Sequence, residues 1–199
     1  MPSVIGIVLS LAVLALPALS TSGHPIIADA AVDQAQAPSN PAPFRAFQAA
    51  VLEYVRLQRR LRAEVPALMV TNDPKVITNA SATLAAAIQR ARRGAKRGDI
   101  FDRIALSEIT RQVRAALQGV DVAAFVSEIN DESTFRGQPK VHLRFPEANP
   151  MATMPPALLN VLPPLPAELE YRLLGRHLIL RDRDAALVID YVADVIPPR

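Results

Sequence analysis

Seven prolines, at positions 146, 150, 155, 156, 163, 164 and 166, crowd the internal stretch "FPEANPMATMPPALLNVLPPLP". Each fixes φ and removes a backbone donor, so neither a long helix nor a central strand can run through it. Regular structure must therefore be built on either side of a stiff strap. The strap itself leaves room for a turn or two of helix over Pro156–Val161, and the short run Val141–Phe145 before it reads as extended. "PPLP" at Pro163–Pro166 meets the minimal P-x-x-P spacing that would present a polyproline edge, although a plain connector explains it as well.

Before the strap the apolar residues recur at helical spacing. Phe44, Phe47, Val51, Tyr54, Leu57, Leu61 and Val65 form one stripe that ends before Pro66. The opposite side carries Arg56, Arg59, Arg60, Arg62 and Glu64, expected as a solvated face; the stripe is long enough for a short dimer seam as an alternative. A second helix starts at Asp73 as N-cap with Pro74 at its first position, and runs through Ile77, Ala80, Leu84, Ile88 and Ala91 until Gly94 and Gly98 stop it. A third begins at Asp102 and turns Ile104, Ile109, Val113, Leu117 and Val120 inward, and a short fourth spans Val122–Ile129. Short connections make this an antiparallel helical unit. The N-x-S sequon at Asn79 falls inside the second helix, where it carries no meaning as an acceptor loop.

After the strap, "EYRLLG", "HLILRD" and "LVIDYV" are β-rich runs separated by Gly175-Arg176 and by "RDAA", the pattern of a β-meander. The last run also satisfies three-and-four spacing, so a helix over 185–196 stays open. Between the second and third runs stands a knot of charge, Arg181, Asp182, Arg183 and Asp184. Its place predicts a turn with exposed charges that discourage edge pairing. The sharper alternative is an ion site of Asp182, Asp184 and His177.

At the N-terminus, Val4–Leu19 is an uncharged apolar run broken by Pro17, short for a membrane span and followed by small and polar residues, which reads as a signal-peptide core. Ala28-Asp29-Ala30 supplies a cleavage site ending at Ala30, and Ala18-Leu19-Ser20 a second. Cleavage predicts an exported chain, periplasmic or secreted, that is not an integral membrane protein. "AVDQAQAPSNPAP", residues 31–43, then reads as a flexible linker.

Composition narrows the chemistry. Removing residues 1–30 leaves 22 basic against 18 acidic residues, near +4, and the sequence pI is 9.7. Zero Cys removes disulfides, thiolate metal sites and thiol nucleophiles. Zero Trp and 5% aromatics argue against stacking platforms for sugars or single-stranded nucleic acid. The basic cluster Arg90, Arg92, Arg93, Lys96 and Arg97 lies where cations favour a helix C-terminus, and it also suits weak contact with anionic surfaces. Specific nucleic-acid binding is not expected. No nucleophile elbow, zinc-protease motif, phosphate loop or dinucleotide fingerprint is present, so no catalytic, cofactor-binding or metal residues are assigned and no cofactor is expected.

The combination "NPMATMPPALLNVLPPLP" with "LEYRLLGRHLILRDRDAALVIDYV" resembles uncharacterised exported bacterial proteins over about Phe44 to Pro197. "LEYRLLGRHLILRD" is also similar, more faintly, to the tyrosine-glycine β-hairpin of periplasmic proteins of nickel and cobalt homeostasis, without the tryptophan usual there. That likeness implies an envelope accessory role and transfers no functional residue.

These readings converge on an α+β fold: signal peptide 1–30, linker 31–43, helical unit 44–130, then strap and β-meander 131–199 packed on the helices as one domain. The expected function is a non-catalytic binding or accessory module of the bacterial envelope. The alternatives are an enzyme with a groove near His177, and a helical dimerisation or scaffold protein.

Overall fold

Helical spacing before the strap and strand spacing after it are realised in the computed structural model, which describes residues 42–65, 73–133, 135, 137–145 and 150–198. The expected signal peptide and nearly all of the expected linker lie outside them. Only the linker's last residues are seen, and Ala42–Phe44 already form a 3₁₀ turn leading into helix α1, Arg45–Glu64. Helix α2, Pro74–Ala91, is capped by Asp73, which accepts from the Lys75 amide. Helix α3, Arg103–Ala116, is capped by Asp102, and α4, Val122–Asp131, by Asp121. One short helix, α5, Pro156–Leu159, sits in the strap. Strands β1, Leu169–Leu174, β2, His177–Asp182, and β3, Leu187–Val192, form an antiparallel sheet in sequence order, so the fold is α+β with a β-meander. Residues 187–192 are strand, not helix. All described residues fall in one compact unit.

One face of the sheet packs on the helices. Leu173, Leu178, Leu180 and Ile189 join Phe47, Val51, Leu84, Ile88, Ile109 and Val113 in the main core. The other face is covered too: Leu174, Ile179 and Val188 pack with Phe145, and Phe135, Leu143, Met151 and Tyr191 lie against them. This is why every residue of β2 is buried, the mark of a strand sandwiched on both sides rather than half-solvated. The run expected to be extended, Val141–Phe145, opens instead with a turn at Val141–His142, His142 at φ +69°, and then bridges β3 through Arg144; His142 N–H donates to the Val188 carbonyl, Val188 N–H to Leu143, and Phe145 N–H to Ala186. It thereby covers the first half of the β3 edge.

Several expectations are corrected. Ile104 and Val120 were expected in the core, yet they are 64% and 43% exposed. The buried line of α3 is Ala105, Ile109 and Val113, spaced by four, and Ile104 stands one residue, about 100°, off that line. Ile77 is likewise exposed, and α2 is buried only later, at Leu84, Ala85 and Ile88. The α1 stripe drifts so that Val55 and Gln58 are buried while Leu57 and Leu61 are half-buried. Phe44, Phe47, Val51 and Tyr54 of the stripe are buried in the core of this chain, while Leu57, Leu61 and Val65 are half-buried. The P-x-x-P edge is also closed, because Pro163 is buried and its carbonyl accepts from Tyr171 Oη at 3.0 Å. Finally, the charged knot is not an exposed turn: Arg181 and Asp182 belong to β2 and are buried, and only residues 183–186 make the turn.

Candidate functional site

Three buried polar assemblies surround the sheet. The first joins α1 to the β2–β3 turn. Tyr54 and Gln58 lie one helical turn apart on α1, hence on one face. Tyr54 Oη donates to Asp182 Oδ2 at 2.7 Å, the Ala185 amide donates to Asp182 Oδ1 at 2.8 Å, and Gln58 Nε2 donates to Asp184 at 3.3 Å. Arg62 pairs with Asp184, and Arg59 with Glu168. Part of the expected solvated face of α1 thus reaches across to the meander. Burial pushes the Asp182 carboxyl up, against the opposing pull of the Ala185 amide and the Tyr54 hydroxyl. Burial, then the Asp182 charge, pushes the Tyr54 phenol well above its ordinary range, so it stays a donor. Both carboxylate oxygens of Asp182 are therefore occupied by donors of this chain.

The second assembly is centred on Asp190, fully buried on β3. Its Oδ2 accepts from the Ile100 and Phe101 amides at 2.8 Å each, and its Oδ1 from Gly98 at 2.9 Å and from Tyr191 at 2.8 Å. The loop between α2 and α3 is thereby fastened to the second half of β3. Arg92 reinforces the junction, its guanidinium lying 5.2 Å from the Tyr54 ring centre and donating to the Ile189 carbonyl.

The third lies on the outer sheet face. Arg181 pairs with Glu170 and donates to the Phe145 carbonyl at 2.9 Å, and Arg172 pairs with Glu170 at 2.9 Å. Burial alone would raise the Glu170 carboxyl; the two guanidinium groups outweigh it and hold the carboxyl below its usual range.

The residues grouped as an ion site in the sequence are not brought together. His177 and Asp182 occupy opposite ends of β2, about 17 Å apart at the usual strand rise. His177 instead accepts the Asp194 amide on Nδ1 at 3.1 Å, which makes the ring neutral with its proton on Nε2. Burial holds its pKa down. No group of three metal-ligating side chains occurs among the described residues.

The basic cluster divides. Arg92 is half-buried in the junction just described, and Arg97 lies 5.6 Å over the Tyr191 ring. Arg90, Arg93, Lys96 and Arg97 are exposed. Elsewhere a cleft of about 310 Å³ opens between α4 and the strap, lined by Phe125, Glu128, Ile129, Glu132 and Met154 among others. No histidine reaches it, and Glu132 accepts from the Thr153 amide at 3.2 Å.

Sequence reasoning missed Asp190 and the Tyr54–Asp182 bond. An Asp inside the apolar run "LVIDYV" was the available signal for the first; nothing local marks the second, whose partners are 128 positions apart. No helix among the described residues is long and apolar enough to cross a membrane. Comparison with protein-family models, with curated proteins and with solved structures finds no match.

Proposed function

We propose that the protein is an exported bacterial envelope protein that acts as a non-catalytic binding or accessory module. The observation that supports this most is the use of its buried ionisable groups. Asp182, Asp190, Arg181 and His177 each bond to atoms of this chain and hold strand, turn or loop in place. A catalytic acid, base or nucleophile instead needs a reactive atom directed at a substrate. What remains for a partner is the surface, where the α2–α3 loop presents the exposed cations Arg93, Lys96 and Arg97. The export half of the reading rests on the Val4–Leu19 run and the Ala28-Asp29-Ala30 site.

Fractionation of the native host tests it. Mass spectrometry of the envelope and secreted fractions should find a chain beginning at Ala31 or Thr21. An intact Met1 form confined to the cytosol overturns the reading.

A further inference from the structure

The α2–α3 loop and the first turn of α3 combine rigidity, charge and an exposed apolar side chain. Three of the loop amides converge on the one Asp190 carboxylate, so the loop is fastened to β3 at Gly98, Ile100 and Phe101. Along the rim formed by residues 90–104, from the last turn of α2 to the first of α3, Arg90, Arg93, Lys96, Arg97 and Arg103 are exposed, and none of them has an ion-pair partner among the described residues. One exposed carboxylate, Asp99, opposes them, with its Oδ2 accepting from the Lys96 amide. Beside Arg103 at the start of α3 stands Ile104, 64% exposed, the most exposed large apolar side chain described. The α3 N-terminus adds no free positive potential, because the Asp102 carboxylate caps it, accepting from the Ile104 and Ala105 amides.

Charge alone would suit any polyanion. An apolar side chain set among cations fits a surface that offers both phosphate and hydrocarbon, as amphipathic interfacial segments do. We propose that this rim docks the protein on an anionic lipid leaflet, with Ile104 entering the headgroup boundary among the flanking cations. The proposal deepens the envelope reading and rests on it for access to such a leaflet. Because the Asp190 clamp fixes the loop beforehand, little ordering entropy opposes docking. Each cation near an anionic leaflet multiplies partitioning about fivefold, so three of them are worth about a hundredfold at low salt. Partial burial of Ile104 adds about tenfold.

The test uses the chain purified from its host, with vesicles of phosphatidylglycerol and phosphatidylcholine, vesicles of phosphatidylcholine alone, and immobilised heparin. The wild type should sediment with the anionic vesicles, be released by high salt, and lose about a hundredfold in partitioning in R93Q/K96Q/R97Q. Ile104→Ser should weaken vesicle binding about tenfold and leave heparin retention unchanged; Ile104→Ala serves as a second, milder variant. Absence of binding to anionic vesicles overturns the proposal, as does equal vesicle binding by the charge variant. Equal vesicle binding by both Ile104 variants also overturns it, leaving a site for soluble polyanion. Export is scored separately by the N-terminus of the sample, which wild type and variants share, so that reading and this one fail independently.

Discussion

Removing the Asp190 carboxylate should loosen the α2–α3 loop before it unfolds anything else. Three loop amides depend on it, two of them on residues that are almost wholly buried, Ile100 at 3% and Phe101 at 0%. A hydrogen bond to a charged acceptor contributes about 1.5–3 kcal/mol, and a buried amide left without an acceptor costs about 1–3 kcal/mol. The contributions are not additive, because freeing one amide relaxes the rest. Gly98 is exposed and can turn to water, so the loss concentrates on Ile100 and Phe101. Asp190→Ala should therefore cost about 4 kcal/mol, a large share of the roughly 5–15 kcal/mol typical of a folded domain. Asp190→Asn keeps one acceptor oxygen but turns an NH₂ group toward two amides, and should cost about 2–3 kcal/mol.

Urea denaturation measures this, with comparable slopes required before midpoints are compared. Asp99→Ala is the control: an exposed carboxylate in the same loop with one amide to satisfy, worth under about 1 kcal/mol. Hydrogen exchange provides the local readout, since in Asp190→Asn the Ile100 and Phe101 amides should lose more protection than the change in global stability explains. If those amides stay protected, or if Asp190→Ala costs no more than Asp99→Ala, the clamp is not what holds the loop.

Asp182→Ala should cost about 2–4 kcal/mol by stranding the buried Tyr54 hydroxyl and the Ala185 amide, and Asp184→Ala under about 1 kcal/mol; equal costs in chemical denaturation would show that the turn, not the buried bond, matters. His177 has a pKa lowered chiefly by burial, so the folded state binds fewer protons than the unfolded one; the stability from its neutral ring is full above about pH 6.5 and is lost as pH falls through the folded value. Thermal melts between pH 7.5 and 5 should therefore fall in midpoint, and His177→Gln should flatten the fall; an unchanged slope refutes the assignment. Gly175 opens the two-residue β1–β2 connection at φ +57°, and Gly175→Ala should cost about 1–3 kcal/mol by strain rather than clash, since an added Cβ meets Asn130 Oδ1 at an ordinary 3.6 Å; a neutral substitution in urea denaturation would remove that argument.

What could be read in the chain was whatever is encoded locally. The α2 and α3 starts followed from Asp73-Pro74 and Asp102, because a capping carboxylate acts within three residues of itself. The three strands followed from β-rich runs between turn signals. Burial was less legible. Ile104 satisfies a loose helical pattern, but the line that meets the core is set by the crossing of α3 with its neighbours, which no single helix records; Val120 misses the core because α3 ends at Ala116, before reaching it. The charged knot was misread for the same reason: strongly polar residues signal a turn only if nothing packs over them. Here Tyr54 and Phe145, both distant in sequence, supply partners for Asp182 and Arg181 and allow them to be buried.

Asp190 shows how an irregularity of the backbone, invisible in residue types, makes a site. In β2 the residues Leu178 and Leu180 face the helices and Ile179 the outer cluster. Simple alternation along "LVIDYV" would place Leu187 and Ile189 with the helices and Val188 and Asp190 with the outer cluster. The observed register instead pairs Arg181 with Val188 and Leu180 with Asp190, so Ile189 is an extra residue, a β-bulge. Without it Asp190 would stand opposite Ile179 and direct its charge among Leu174, Val188 and Phe145, an apolar setting in which an unpaired carboxylate costs several kcal/mol. With the bulge, both Ile189 and Asp190 lie on the helix side, where the first fills the core and the second meets the loop amides. A slip of β3 that erased the bulge would break the clamp and bury the charge at once. The same carboxylate that fastens the loop therefore also selects the register of the strand that carries it.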